Sequence, residues 1–217
     1  MKEFVSDVRI GIASVGVSSF LSHAGGQLIG PYFSRAHLMV IEQDLDATRE
    51  VKPPAGVTVG VFDGDWDAAE GLLTARSRER FKRRAGAGRH CLVASRDGRI
   101  VGYTWISTEI VPEIEALPLA LPETAAYLWD LFVPIGERST GIGSALTSAR
   151  MRHAAALGFR LGWRAISPKN RPSIRTAEKT GAVRVLGEIR ISRRFGTTRY
   201  VEDRFEGRAL LDLPVDR

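Results

Sequence analysis

The chain has 217 residues, 44% of them hydrophobic and 26% charged, which is an ordinary composition for a globular protein and enough for one domain with a full core. One cysteine, Cys91, excludes an internal disulfide and any metal site made of cysteines. The four histidines lack the spacing of metal ligands, so we expect no bound metal. No apolar run reaches the length of a membrane span, so we expect no membrane partner.

The net charge of +6 fits either a solvated, arginine-rich surface or an acidic partner. A polyphosphate cofactor and an acidic acyl carrier protein both fit this charge. Nucleic acid fits it less well, because the basic residues are scattered and no nucleic-acid-binding motif is present. We therefore expect no nucleic-acid partner.

The first part of the chain predicts one helix and one strand. Residues 1–33 are mildly apolar and favour an amphipathic helix. Glu3 and Asp7 lie where a signal peptide would have its basic segment, so the pattern indicates a cytoplasmic protein. Residues 37–45 then predict a strand.

The middle of the chain predicts a strand, a helix and a hairpin. Residues 57–62 are typical of a strand, and residues 63–84 predict a helix that begins at capping aspartates and ends at the glycines of 86–88. Asp97-Gly98 separates two β-rich runs, a strong signal for a hairpin. The proline- and leucine-rich residues 109–124 predict a loop.

The second half alternates strands with helices. The predicted order is a strand over 125–133, a helix after Gly141, a strand over 159–167, a helix over 171–181 and two closing strands. Such alternation favours parallel pairing, whereas the hairpin favours antiparallel pairing. We therefore predict an α/β (α+β) protein with a mixed sheet and helices on both faces.

A strand followed by a glycine-containing turn and a helix is an arrangement that binds phosphate. The N-terminus of a helix has unpaired N–H groups and partial positive charge, and glycines let phosphate oxygens approach them. The dinucleotide fingerprint and the P-loop both require residues that are missing here. The candidate phosphate-binding residues are Arg138, Ser139, Thr140, Gly141, Ile142, Gly143 and Ser144.

Two spaced motifs resemble those of the Gcn5-related N-acetyltransferase (GNAT) superfamily. Arg138-x-x-Gly141-x-Gly143 resembles the family's first signature, and Asn170-x-x-Ser173 followed by Lys179-x-Gly181 resembles its second. The similarity covers roughly residues 58–205. It implies an acyl-CoA N-acyltransferase-like fold with a mostly antiparallel central sheet over residues 51–217, preceded by an N-terminal extension of residues 1–50.

The resemblance implies a site for acetyl-CoA, the acyl donor. The backbone of Leu131, Phe132 and Val133 would pair with the pantetheine arm, and the loop from Arg138 to Ser144 would hold the pyrophosphate. Asn170 and Ser173 would lie against the cofactor arm. The backbone N–H near Phe132 would stabilise the oxyanion of the thioester.

The general base has two candidates, Asp130 and Glu109. Asp130 lies inside an apolar strand, which would favour proton uptake, but an ion pair with Arg164 is an equally good reading. Glu109 is the next choice, with Glu113 and Glu115, because its loop is expected to border the acceptor. The family's usual acid, a tyrosine, is replaced by Ala177.

The predicted function is an N-acyltransferase that moves an acetyl group from acetyl-CoA to a primary amine in a ternary complex. The acceptor is left open between a small-molecule amine and a protein amine, and a homodimer is one option for the assembly. Two alternatives remain. One is an N-acyltransferase that uses long-chain acyl-CoA or an acyl carrier protein, and the other is a catalytically silent acyl-CoA-binding protein.

Overall fold

The computed structural model describes residues 33–203 except 66, 71, 74, 87, 111–116, 118 and 196. The helix predicted over residues 1–33 lies outside the described residues except for Phe33, which begins the first strand, and Glu113 and Glu115 lie outside them as well. The strands are β1 (Phe33–Asp44), β2 (Val57–Val61), β3 (Arg89–Arg96), β4 (Arg99–Ser107), β5 (Ala125–Phe132), β6 (Leu161–Ile166), β7 (Arg184–Arg194) and β8 (Thr197–Asp203). The helices are α1 (Ala75–Arg84), α2 (Ile142–Ala156) and α3 (Arg171–Thr180), with a 3₁₀ turn at Ile135–Glu137.

These strands form one sheet in the order β2-β3-β4-β5-β6-β1-β7-β8. Strands β5 and β6 are parallel, and every other neighbouring pair is antiparallel. The prediction of a mixed, mostly antiparallel sheet is therefore confirmed. Within the described part of the chain, no helix is both long and apolar enough to cross a membrane.

Strand β1 lies in the middle of the sheet although it belongs to the predicted N-terminal extension. It pairs antiparallel with β6 on one side and with β7 on the other. Its adjacent residues Val40 and Ile41 point to opposite faces of the sheet, and each is only 1% exposed, so β1 is covered on both faces. The extension therefore supplies a central strand of the same sheet.

Helices cover both faces of the sheet, as predicted. On one face, Phe81 of α1 packs against Tyr103 and Trp105 of β4, with ring centroids 5.0 Å and 4.8 Å apart. On the other face, Met151 of α2 belongs to a buried cluster with Leu128 of β5. Helix α3 buries Ala177 on that second face, beside β1 and β6.

The helix predicted over residues 63–84 is too long. Of the residues described in this range, Ala75–Arg84 form a helix, and those described over 67–73 form turns and bends. The Asp63 carboxylate accepts a hydrogen bond from the backbone N–H of Asp65 at 3.0 Å, and the Asp65 carboxylate accepts one from Asp67 at 3.1 Å. Aspartate side chains that bond nearby N–H groups compete with the helix, which explains the late start.

Strands β5 and β6 separate toward their C-terminal ends. Their pairing begins at Ala125 and Leu161 and ends at Tyr127 and Trp163, although both strands continue. Strand β5 has a bulge at the same place, between Trp129 and Phe132, which pair with Trp105 and Tyr103 of β4. An open slot lies beside the part of β5 that no longer pairs with β6, on the side where α2 and α3 begin.

Candidate active site

The slot begins at the loop that joins β5 to α2. Gly141 is the N-cap of α2 and has a φ of 100°, a left-handed conformation that favours glycine. No side chain caps this helix. The first N–H groups of α2 are therefore free of a side-chain cap at the end where its dipole is positive.

Gly143 contributes space rather than an unusual backbone conformation. A Cβ atom built at this position would meet only Val133 Cγ2, at 3.9 Å. Gly143 also lines the slot. A glycine here keeps the first turn of α2 accessible to a ligand in the slot.

The loop is held in shape by its own bonds. Both carboxylate oxygens of Glu137 accept hydrogen bonds from Arg96 Nη1 of β3 at 2.7 Å. The Thr140 hydroxyl donates to the Glu137 carbonyl at 2.7 Å, and Arg138 Nε donates to the Val133 carbonyl at 3.0 Å. Such a loop is ordered before a ligand arrives, which lowers the entropic cost of binding.

The slot has a volume of about 580 Å³ and brings the two predicted motifs together. Of the predicted cofactor-binding residues, only Thr140 and Ile142 are not among those that line it. Ile142 is 0% exposed and packs in the core beneath the loop. The lining residues are Leu131, Phe132, Val133, Glu137, Arg138, Ser139, Gly141, Gly143, Ser144, Asn170, Pro172, Ser173, Arg175, Thr176 and Lys179.

Helix α3 presents cationic residues to the slot that the sequence analysis did not assign. Arg175 and Lys179 are four residues apart and therefore lie on one face of the helix. Pro172 and Thr176 share that face with them. The spacing of these four residues is that of one helix face, so the sequence could have predicted that they lie together.

Asn170 serves as the N-cap of α3. Its Oδ1 accepts a hydrogen bond from the backbone N–H of Ser173 at 3.2 Å. This bond satisfies one of the unpaired donors at the start of the helix. It uses the acceptor of the side chain and not its amide donor, so the Asn170 amide nitrogen can still face a ligand in the slot.

Asp130 forms an ion pair with Arg84 of α1, on the face of the sheet opposite α2. The Arg84 guanidinium also lies 5.5 Å from the ring centroid of Trp129. The predicted ion pair between Asp130 and Arg164 is wrong. Arg164 is buried on the other face, where it donates a hydrogen bond to Gln43 Oε1.

The bulge in β5 explains why this pairing was missed. Asp130 has a φ of 46°, which is uncommon for a residue other than glycine. Strict alternation would direct Asp130 away from Trp129 and toward the α2 face. The extra residue of a bulge interrupts that alternation, so Asp130 meets Arg84 instead.

Glu109 lies away from the bulge. It follows Ser107, which pairs with Tyr127 near the start of β5. Its carboxylate accepts a hydrogen bond from Arg89 Nη2 at 2.6 Å and its side chain is 55% exposed. The structure therefore does not bring the two predicted bases together.

Cys91 and Tyr103 lie near Asp130 but are poor proton donors. Burial raises the pKa of the Cys91 thiol far above its usual range, and the negative charge of Asp130 adds to this effect. Burial and then Asp130 likewise raise the pKa of Tyr103. Among the residues that the structure describes, no group of three or more His, Cys, Asp or Glu side chains is placed to hold a metal ion.

Comparison with known proteins identifies the family. The model of the acetyltransferase (GNAT) family matches residues 59–182, more than half of the chain. The chain therefore belongs to the acetyltransferase (GNAT) family. The resemblance predicted from the two motifs is confirmed, and no curated protein matches the chain.

Solved structures are similar to this chain at low sequence identity. The glucosamine N-acetyltransferase region of a fungal multi-domain beta-N-acetylglucosaminidase is 12% identical with a TM-score of 0.50, over 81% of this chain and 23% of that chain. A tandem GNAT protein from the clavulanic acid biosynthesis pathway is 19% identical with a TM-score of 0.49, over 76% of this chain. A GCN5-related N-acetyltransferase from Kribbella flavida is 14% identical with a TM-score of 0.45, over 87% of this chain. This chain spans 56% of the tandem protein and 63% of the Kribbella flavida protein.

Proposed function

We propose that the chain transfers an acetyl group from acetyl-CoA to a primary amine while both substrates are bound. The observation that carries the proposal is the slot between the end of β5 and the starts of α2 and α3, into which the first turn of α2 opens. A polyphosphate with a long, extended arm fits a slot with an unblocked helix N-terminus at one end. Membership of the acetyltransferase family supports acetyl-CoA as that ligand.

The residues of the slot match the parts of CoA. The first N–H groups of α2 and the hydroxyl of Ser144 would bind the pyrophosphate. The cationic groups of Arg138, Arg175 and Lys179 would balance the charge of the phosphates. The backbone of β5 from Leu131 onward, where pairing with β6 has ended, would bind the pantetheine arm as an added strand.

The chemistry requires contact between the amine and the thioester carbonyl. The amine nitrogen bonds to the carbonyl carbon, the carbon–sulfur bond breaks, and its electron pair remains on sulfur. Holding both reactants in contact supplies much of the rate, and a backbone N–H near Phe132 would stabilise the oxyanion. Asp130 would receive the proton from the amine, either directly or through water.

The acceptor would approach from the face that carries α1. The CoA slot is lined by α2 and α3 on the opposite face, and Asp130 with Arg84 lies on the α1 face next to the bulge. An acceptor on this side would meet the thioester across the gap between β5 and β6. Small-molecule amines and protein amines both remain acceptor classes under this proposal.

The test is release of free CoA in the presence of amines. The purified chain is incubated with acetyl-CoA and a panel of primary amines that includes polyamines, amino sugars, amino acids and peptides, and thiol release is followed by a chromogenic disulfide. We expect one class to raise thiol release at least tenfold over hydrolysis, with the acetylated amine detected by mass spectrometry.

One observation favours a second candidate, a catalytically silent acyl-CoA-binding protein. Ala177 stands where the family often has a tyrosine acid, and it is 0% exposed in the core beside Ile41 and Ile166. Tight binding of acetyl-CoA with no amine-dependent thiol release across the panel would favour this candidate. Preference for a long-chain acyl-CoA in the same assay would instead favour the long-chain acyltransferase.

A further inference from the structure

Two arginines are buried on the α2 face of the sheet, and neither is among the residues that line the slot. Arg150 of α2 is 2% exposed and Arg164 of β6 is 3% exposed. Arg150 Nη1 donates a hydrogen bond to Thr104 Oγ1 at 2.7 Å, and Arg164 Nη2 donates to Gln43 Oε1. The Nε atom of each guanidinium is buried without a hydrogen-bond partner.

The charge of this pair is not balanced by nearby carboxylates. Among the described residues, neither arginine forms an ion pair. Asp130 is near enough to influence Arg150, but its carboxylate is paired with Arg84. Burying a charged group without a counter-charge is costly, so a buried cationic pair of this kind needs a functional explanation.

The titration of the two groups agrees with an excess of positive charge. Burial lowers the pKa of Arg164 to about 10. Burial also lowers the pKa of Arg150, and the charge of Arg164 lowers it further. The two guanidiniums therefore destabilise one another, and an anion near them would relieve that repulsion.

The pair flanks the point where β5 and β6 separate. Arg164 directly follows Trp163, the last residue of β6 that pairs with β5. Arg150 bonds Thr104, and the Thr104 hydroxyl donates to the carbonyl of Trp129, the residue before Asp130. Both arginines thus approach the separation on the α2 face, Arg164 from β6 and Arg150 from α2 through Thr104 of β4.

The length of α2 relates this point to the phosphate loop. Arg150 lies eight residues after the first helical residue, Ile142, which at about 1.5 Å per residue is about 12 Å along the helix. A CoA arm that extends from the first turn of α2 along the slot would end close to this pair. The reactive end of that arm is its sulfur.

The missing tyrosine connects to the same pair. Gln43 Nε2 donates to the carbonyl of Ala177 at 3.0 Å, while Gln43 Oε1 accepts from Arg164. Gln43 therefore links Arg164 to Ala177, the position at which the family often has the tyrosine that protonates the departing sulfur. A change in how the leaving group is stabilised fits this replacement.

We propose that the guanidinium groups of Arg150 and Arg164 stabilise the CoA thiolate as it leaves the thioester. The inference rests on the proposed acetyl-CoA site. When the amine nitrogen bonds to the carbonyl carbon, the carbon–sulfur bond breaks and its electron pair remains on sulfur as the thiolate. The amine proton leaves separately, through Asp130 or water, and the thiolate departs as an anion that needs no proton from the protein.

The surrounding charges strengthen this effect. Asp130 and Arg84 face the point of separation from β5 and α1, and their charges cancel. Arg175 and Lys179 line the slot from α3 and are both cationic. Arg138 also lines the slot, and Glu137, an acidic residue of the lining, is paired with Arg96.

The test is the pKa of the CoA thiol in the complex. The ultraviolet absorbance of the thiolate is followed from pH 6 to 10 with CoA bound at saturation, and the complex with desulfo-CoA is subtracted to remove protein signals such as Cys91. The reference is the thiol of free CoA, titrated in the same buffer. We expect the bound thiol to titrate about one to two pH units lower.

A double variant and a matched control assign the shift. Arg150→Met with Arg164→Met should return the thiol pKa to within about half a unit of its free value, and apolar replacements of buried charges tend to preserve folding. Arg152→Met is the control, because Arg152 lies on the same helix but is 59% exposed in an ion pair with Glu50. This variant should keep the shift.

The outcomes separate this inference from the function on which it rests. CoA that saturates the protein but titrates at its free value overturns the thiolate role and leaves the CoA site intact. An equal shift in the wild type and the double variant also overturns it. Failure of CoA to bind at all overturns both proposals. If the double variant does not fold, Arg150→Met and Arg164→Met are titrated singly, and an unchanged shift in both overturns the thiolate role.

Discussion

Replacing Gly143 with tryptophan should block acetyl-CoA binding without disturbing the fold. The added Cβ meets only Val133 Cγ2 at 3.9 Å, and glycine is itself a poor helix former, so the helix should tolerate the change. The indole would project into the slot and displace a phosphate from the first turn of α2. Loss of two charge-assisted hydrogen bonds, each worth about 1.5–3 kcal/mol, costs about 3–6 kcal/mol.

That loss corresponds to an increase in Kd of about 10²–10⁴. The assay is calorimetric titration of acetyl-CoA into the variant, with thermal unfolding as the test of folding. Gly60→Trp is the control, because Gly60 lies on β2 at the edge of the sheet and its added Cβ has no atom within 4 Å. If a folded Gly143→Trp variant bound acetyl-CoA as tightly as the wild type, the first turn of α2 would not be the phosphate site.

Three further predictions concern titratable groups. Asp130→Asn should retain the left-handed backbone and bind acetyl-CoA with a Kd within twofold of the wild-type value. Its kcat, measured with the best amine of the panel, should fall by about 10²–10⁴. An unchanged kcat would show that Asp130 is not the base. Because burial raises the pKa of Cys91, alkylation by iodoacetamide at pH 8 should be at least tenfold slower than for glutathione, as followed by mass spectrometry; equal rates would contradict that burial. Burial, and then the charge of His90, lower the pKa of His153 from 6.5, so the stability that its neutral form contributes is complete above pH 6.5 and is lost as the pH falls below it. The melting temperature of His153→Gln should therefore decline less in acid than that of the wild type. Parallel declines would refute this assignment.

The phosphate loop could be predicted from sequence because all of its parts are contiguous. The strand, the turn with Gly141 and Gly143, and the helix after it follow one another directly, so local rules place the helix N-terminus at the strand end. The hairpin of β3 and β4 was equally predictable, because Asp97-Gly98 specifies its turn. Local signals determine these elements without help from distant contacts.

The position of β1 was not predictable in this way. Its apolar pattern predicts a strand, but nothing in that pattern selects β6 and β7 as neighbours. Strands β6 and β7 run in the same direction and are joined by α3, and β1 fits in the gap between them. Such a gap exists only once the second half of the chain has folded.

The partner of Asp130 was missed for a related reason. Alternation along β5 directs Asp130 toward Arg164, and one bulge residue is enough to send it to Arg84 instead. The burial of Arg150 was missed because α2 has no clear apolar stripe, so its sequence pattern does not reveal which of its charged residues faces the sheet. Arg150 and Arg152 differ by two positions on α2, yet one is buried and the other is exposed.

The most direct test of the account is calorimetric titration of the wild-type chain with acetyl-CoA, CoA and a long-chain acyl-CoA. The account predicts saturable binding of acetyl-CoA to one site per chain, weakened by added salt because the phosphates contribute charge. Acetyl-CoA should bind at least as tightly as the long-chain thioester. Absence of binding to all three would contradict the account and leave the glycine turn before α2 with a purely structural role.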